Sequence, residues 1–283
     1  MSGQSCPMAK LETLLLATDG SAFSEGAIRE ALKLAKKCSS RLSVMSVVIT
    51  NLEFEVTMPQ VIDKEDKEAL EHLETIKARA SKEGIDCDIA VIHGDDPYQD
   101  IVRRAQEKHA DMIIVGRHGR TGLPRLMMGN VTAKVIGHAP CNVLVVSPAV
   151  STDFKDILVA TDGSRYSKAA VREAISIAKR CNSRLIAVSV AYSDGEIKSA
   201  QDNVQMAVEL ASQESIKIEG AAVIGKSYEA IVDMAKQKQA DLIVVGSHGR
   251  RGLERLLMGS VTERVIGHSG IAVLVIKAKE RWN

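Results

Sequence analysis

Two stretches of this chain carry residue types that hold phosphates with backbone rather than with a catalytic side chain. They read Gly116-Arg-His-Gly-Arg-Thr-Gly-Leu-Pro-Arg-Leu-Met-Met-Gly-Asn-Val-Thr and Gly246-Ser-His-Gly-Arg-Arg-Gly-Leu-Glu-Arg-Leu-Leu-Met-Gly-Ser-Val-Thr. Gly116 and Gly246 are expected to end a strand where a bulky side chain would block a ligand. Gly119 and Gly249 are expected to take positive φ and expose N–H groups. Gly129 and Gly259 let the chain approach an anion just before a helix whose first N–H groups lack intrahelical partners. Ser260 and Thr262 add hydroxyl donors; the first copy offers the Asn130 amide and keeps Thr132. Arg120, Arg250 and Arg251 would bring positive charge to the anion, and charge-assisted bonds are the strong ones.

The elements that position these residues are duplicated too. Leu14-Leu-Leu-Ala-Thr-Asp-Gly-Ser21 matches Ile157-Leu-Val-Ala-Thr-Asp-Gly-Ser164, so each copy opens with an apolar strand ending in a carboxylate, Asp19 or Asp162. At the carboxyl edge of a sheet that carboxylate suits a ribose hydroxyl, an adenine amino group or a magnesium ion. Helices are predicted over 24–38 and 167–181, with Ser24 and Ser167 as N-caps. Second strands follow over 42–49 and 185–191. The first copy then inserts about a dozen residues, 50–63, before a helix over 64–82, whereas the second passes through Ser193-Asp-Gly195 into 197–213. Third strands end at Gly94 and Gly225, helices cover 98–108 and 228–238, and nearly all-apolar fourth strands occupy 111–116 and 241–246. After each glycine cassette come a helix (131–138, 261–268) and a fifth strand (142–146, 272–276). Strict alternation predicts an α/β protein of two tandem Rossmann-like, doubly wound domains, 1–150 and 151–283, each with a five-stranded parallel sheet covered by helices on both faces.

The chain has 283 residues, 45% of them hydrophobic, and a formal net charge of +1. That balance supplies no general field for nucleic acid or an anionic membrane. No apolar run resembles a signal core or a membrane span, which leads to an expected cytoplasmic location. The five cysteines are odd in number, scattered and without a C-x-x-C, so neither a disulfide framework nor a zinc site is expected, and Cys38 and Cys181 read as small buried thiols.

The duplicated pattern, over essentially the whole chain, resembles the universal stress protein family in its tandem form. The family's adenine nucleotide motif is Gly-x2-Gly-x9-Gly-Ser/Thr; the second copy matches it, and the first departs at Asn130. The resemblance implies ATP or another adenine nucleotide as ligand, with Mg2+ as an optional companion. It further implies that Ala17, Thr18, Asp19 and Val47, and Ala160, Thr161, Asp162 and Val190, face the base and ribose. Val115, Gly116, Gly119, Arg120, Gly129, Asn130, Val131 and Thr132 would build the rest of the first site. Val245, Gly246, Gly249, Arg250, Gly259, Ser260, Val261 and Thr262 would do so in the second. Sheet order 3-2-1-4-5 and pairing of the two fifth strands into an internal pseudo-dimer are implied as well, leaving other faces for a homodimer.

Plainer readings compete. A single glycine-rich loop could merely turn, but identical spacing in both copies favours a ligand. His118 and His248 lack a partner at ligand spacing and read as loop packing; His138 and His268 suit helix C-termini. Arg125 and Arg255 read as solvated, and 63–74 as the wet face of a helix. The insertion reads as a lid on the first site or a partner contact. Without Gly-x4-Gly-Lys-Ser/Thr or any other marked catalytic apparatus, a nucleotide-binding regulatory module is preferred over a slow ATPase or phosphoryl-transfer enzyme. A receiver-like pair would need an aspartate at the third strand, where the chain instead has His93-Gly94 and Ile224-Gly225.

Overall fold

The computed structural model describes residues 6–50, 57–119, 128–250 and 258–278. Their elements run β1 (Thr13–Ala17), α1 (Glu25–Cys38), β2 (Arg41–Ile49), α2 (Pro59–Lys82), β3 (Cys87–Gly94), α3 (Pro97–Glu107), β4 (Met112–Gly116), α4 (Asn130–His138) and β5 (Asn142–Val146). The second half repeats them as β6 (Asp156–Ala160), α5 (Arg165–Cys181), β7 (Arg184–Ala191), α6 (Ile197–Gln213), β8 (Ile218–Ile224), α7 (Ser227–Gln237), β9 (Leu242–Gly246), α8 (Ser260–His268) and β10 (Ala272–Ile276). No helix among the described residues is long and apolar enough to cross a membrane.

The strands form one ten-stranded sheet, ordered β3-β2-β1-β4-β5-β10-β9-β6-β7-β8. Within each half every pairing is parallel; the halves meet where β5 runs antiparallel to β10, Leu144 opposite Leu274 and Val143 opposite Val275. This is the pseudo-dimer that the family resemblance implies. It pairs two apolar edges that would otherwise invite association with other chains. Alternation along the strands feeds two cores: Leu14, Leu16 and Val159 face the layer of α1 and α5, while Leu15, Leu158 and Val115 face the opposite one.

Several local expectations need correction. Ser167 is not the N-cap of α5. Ser164 is, accepting from the Ser167 amide at 3.2 Å, while the Ser167 hydroxyl donates back to the Ser164 carbonyl at 3.1 Å. Ser24 does occupy the N-cap position of α1, as expected, but makes no side-chain cap, because a short 3-10 turn over Ala22–Ser24 directs its hydroxyl to the Ser21 carbonyl at 2.8 Å. Much of the predicted insertion is helix: α2 begins at Pro59, five residues before the expected start, and 51–56 lie outside the described residues. The cysteines also depart from expectation. The segment before β1 folds back so that Met8 and Leu11 are buried, which brings Cys6 against the end of α1, where it is bridged to Cys38 with a Cα–Cα distance of 4.7 Å. Cys181 stays a half-buried thiol outside any disulfide; burial pushes the Cys87 and Cys141 thiols up to about 11 and about 12.

The segment joining the halves is gripped by α1. Arg29 donates to the Pro148 and Val150 carbonyls at 3.0 and 2.5 Å, and Lys33 to Thr152 and Asp153 at 2.6 Å each. Between these cations Glu30 is fully buried. Burial raises its pKa, and the opposing influence of Lys33, 3.9 Å away, and of Ser151 and Thr152 does not make up for it. A carboxyl whose folded-state pKa is raised binds protons more readily folded than unfolded, so its charged form lowers stability as pH rises above the unfolded value. Glu30→Gln is therefore expected to raise the melting temperature at neutral pH, with a gain that shrinks as pH falls through the carboxylate range. A gain that grows on acidification would refute this reading.

Candidate functional site

The carboxyl ends of β6 and β9 converge on Asp162. Its Oδ1 accepts from the Ser164 amide at 3.0 Å and its Oδ2 from the Arg250 amide at 2.7 Å, so one carboxylate ties the end of β6 to the glycine cassette after β9. Burial alone would raise its pKa, but the bonds from Ser164, Arg250 and Ser167 outweigh burial and hold it below the usual carboxylate range. A carboxylate with both oxygens occupied in this way builds a wall.

That wall explains Gly249 differently from the sequence. Gly249 does not take positive φ; it is glycine because a Cβ would come within 2.7 Å of Asp162 Oδ2, and at Gly119 within 3.1 Å of Asp19 Oδ2. Gly246 is likewise set by packing: a Cβ there would meet the Tyr166 backbone at 2.7 Å, and at Gly116 the Phe23 carbonyl at 3.0 Å. The turn that does need positive φ is Gly163, at +79°, where a Cβ would strike Asn203 Oδ1 at 2.4 Å and the Arg250 guanidinium at 2.9 Å.

Gly259 closes the loop by donating its amide to the Ser247 carbonyl at 2.9 Å, and α8 starts at Ser260 with its first amides at the carboxyl edge of the sheet. Ser260 is exposed, and Val261 is half-buried beside it. Thr262 is buried and its hydroxyl donates to the Gly246 carbonyl at 2.8 Å, which braces the cradle and commits the proton expected to reach an anion. In the first half Thr132 does the same to Gly116 at 3.0 Å, Gly129 donates to the Arg117 carbonyl at 2.9 Å, and Asn130 and Val131 are exposed. Val115 and Val245 have their side chains in the core, leaving only their backbone for a ligand. Ala17, Val47, Ala160 and Val190 are half-buried at the strand ends.

Arg250 was expected beside the anion, but its guanidinium turns to α6, donating to Ser199 at 3.1 Å and to Asn203 Oδ1 at 2.8 Å. Asn203 in turn donates to Ser189 on β7 at 3.2 Å. Ala69, Leu73, Ile76 and Ala80 of α2 align with Ala200, Val204, Ala207 and Ala211 of α6, which sets His72 opposite Asn203. His72 Nε2 lies 3.1 Å from the Thr18 hydroxyl, which itself donates to Ser24 at 2.9 Å; in the second half Thr161 donates to Ser167 at 3.3 Å. Asp19 accepts from the Ser21 amide at 3.0 Å. Sequence reasoning missed His72 and Asn203. The available signal was one polar residue at the same point of an apolar helix face in both copies. Arg120, Arg125, Arg251 and Arg255 lie outside the described residues.

The histidines pack. His118 is buried with its ring 6.1 Å from that of Phe23, and burial together with the Arg117 charge lowers its pKa, keeping it neutral at neutral pH. His248 lies against Tyr166, His138 against Tyr98 and His268 against Tyr228, with ring centroids 4.8 to 5.1 Å apart.

The family model described as the universal stress protein family matches twice, over residues 10–147 and 153–277. The chain belongs to the universal stress protein family. A universal stress protein of Mycolicibacterium smegmatis is 26% identical over 94% of this chain and 97% of its own length. One from Methanocaldococcus jannaschii is 35% identical over 45% of this chain and 85% of its own. Among solved structures, a universal stress protein from Archaeoglobus fulgidus has a TM-score of 0.78 at 23% identity, covering 95% of this chain and all of the other, a likeness of fold. Tandem matches on either side of the β5–β10 seam make this universal stress protein an internal pseudo-dimer of two family domains.

Proposed function

We propose that this universal stress protein is a regulatory module binding ATP, or another adenine nucleotide, in its two halves, 1–150 and 151–283, and that the second site is the better formed. The observation that carries this reading is the Asp162–Arg250 amide bond, which joins the Thr161–Asp162–Gly163 turn to the cassette and leaves Gly249, Gly259 and Ser260 together at the start of α8. The unpaired amides of a helix start and glycines without side chains suit phosphate oxygens. The ends of β6 and β7, with Ala160, Thr161 and Val190, suit the base and ribose. In the first half, Ala17, Thr18, Asp19, Val47, Gly116, Gly119, Arg120, Gly129, Asn130, Val131 and Thr132 would serve the same ligand. Its site would be altered by His72 and by an amide in place of a hydroxyl. Asp162 orients backbone, and magnesium, if it accompanies the nucleotide, would be held by the phosphates.

Ligand at a hundredfold excess over Kd stabilises a single-site protein by about 2.7 kcal/mol. ATP is therefore expected to raise the melting temperature of wild type, and Gly259→Val is expected to lose much of the rise. Its backbone is extended, with φ −69°, so valine is tolerated, while a side chain there, already 3.3 Å from the His248 Cα at its first carbon, intrudes on the loop. Equal ATP-induced shifts in the two proteins would sink the second-half assignment.

A further inference from the structure

The seam between the halves carries two cations, each reaching across it to the same feature of the other half. Arg117 follows β4 in the first cassette, and its Nη1 donates to the Gly267 and Ser269 carbonyls at 3.2 and 2.9 Å, at the C-terminal end of α8. Lys277 follows β10, and its Nζ donates to the Ile136 and Gly137 carbonyls at 2.9 and 2.8 Å, at the C-terminal end of α4. Cations there satisfy carbonyls that the helix leaves unpaired and complement its dipole. Both are half-buried, and burial lowers the pKa of each, so each is held at a desolvation cost.

The two cations do not occupy equivalent places in the repeat: Ser247 stands where Arg117 would recur, and Ser147 where Lys277 would. The same crossed cap is thus reached from two different positions. Each is also wired to the cradle of its own half. The Gly129 amide donates to the Arg117 carbonyl at 2.9 Å, and the Arg117 amide to Val146 at 3.1 Å. In the second half the Gly259 amide donates to the Ser247 carbonyl at 2.9 Å, and the Ser247 amide to the Ile276 carbonyl at 3.1 Å, one residue before Lys277. The Lys277 amide is itself fixed by Asn142 of the first half at 3.0 Å.

We propose that Arg117 and Lys277 couple the two candidate nucleotide sites, each tying the cradle of one half to the far end of the helix that forms the cradle of the other. The inference rests on the nucleotide reading above. Filling the first cradle immobilises the Gly129–Arg117 segment and, through the guanidinium, α8. The second ligand then meets a helix already ordered and binds more tightly. Lys277 gives the reciprocal path from the second cradle to α4.

Hydrogen exchange on the Gly259→Val chain, in which only the first site is left intact, tests this directly. ATP is expected to slow exchange in residues 260–268 of the opposite half, and Arg117→Met in the same background is expected to abolish that protection while first-site ATP binding persists. Calorimetric titration of the otherwise unsubstituted chain should show the second ATP binding roughly fivefold or more tighter than the first. Arg117→Met should shrink the enhancement of the second binding event, leaving the intrinsic difference between the sites and the Lys277 path, and Arg117→Lys should restore part of it. A purely structural cap would lower the melting temperature and leave the affinity ratio untouched; that result, or independent sites in wild type, overturns the coupling. Absence of any ATP binding by wild type overturns the nucleotide reading itself, and the coupling with it.

Discussion

Replacing Gly26 with alanine is expected to destabilise the protein by about 2 kcal/mol, although alanine is the better helix former by roughly 1 kcal/mol. Gly26 lies in the first turn of α1, where the segment joining the halves crosses the helix. A Cβ there would sit 2.2 Å from the Ser147 carbonyl oxygen, 2.9 Å from its carbon and 3.1 Å from the Pro148 Cα. These are backbone atoms, so no side chain can swing aside. The crossing must lift off the helix, and overpacking of this kind costs about 1–3 kcal/mol or more. Lifting it also strains the Arg29 and Lys33 bonds that hold the segment. The repeat supplies a control, because the corresponding residue of α5 is Ala169. Ala169→Gly should lose the helix-propensity difference and the packing of one partly buried methyl, with no clash relieved or created, whereas Gly26→Ala, which gains propensity, should nonetheless lower the melting temperature by several degrees. An unchanged or raised melting temperature for Gly26→Ala would show that the joining segment is not packed on α1.

Opening the Cys6–Cys38 bridge should have the largest effect on stability. The bridge closes a sequence separation of 32 residues, a loop whose constraint on the unfolded chain is worth about 3–4 kcal/mol in the chain-entropy account. It also pins Met8 and Leu11 over the core. Chemical unfolding of wild type should shift to lower denaturant on adding a thiol reductant, and Cys6→Ser should begin at that lower midpoint and ignore the reductant. Cys181, the counterpart of Cys38, is not in a disulfide, and its replacement by serine should cost less than that of Cys38 and leave the response to reductant unchanged. A wild-type midpoint indifferent to reductant would rule out a bridge that contributes to stability.

What was legible in the sequence was what repeats locally. Leu14 to Ser21 and Ile157 to Ser164 each encode an apolar strand followed by a fixed turn, so the strands and their alternation with helices could be read from hydrophobic period alone. Resemblance to a family supplied the strand order and the β5–β10 pairing. The corrections share a different origin. Cys6 and Cys38, Gly26 and Ser147, Arg117 and Ser269, and Lys277 and Gly137 are far apart in sequence, and no period connects them. The glycines illustrate the same limit inside the motif. Their identity was legible, but the reasons for Gly246 and Gly249 are contacts with Tyr166 and Asp162 rather than backbone freedom. Arg250 was read as an anion ligand from its place beside Gly249, but its side chain is long enough to reach α6, and Asn203 and Ser199 decide where it goes.

Equilibrium titration of ATP onto the purified chain, compared with the doubly substituted Gly129→Val, Gly259→Val chain, reads out both cradles at once. Two nucleotide cradles require saturable binding by wild type and its loss in a double variant that still melts cooperatively. Failure of wild type to bind, or undiminished binding by the folded double variant, would contradict it.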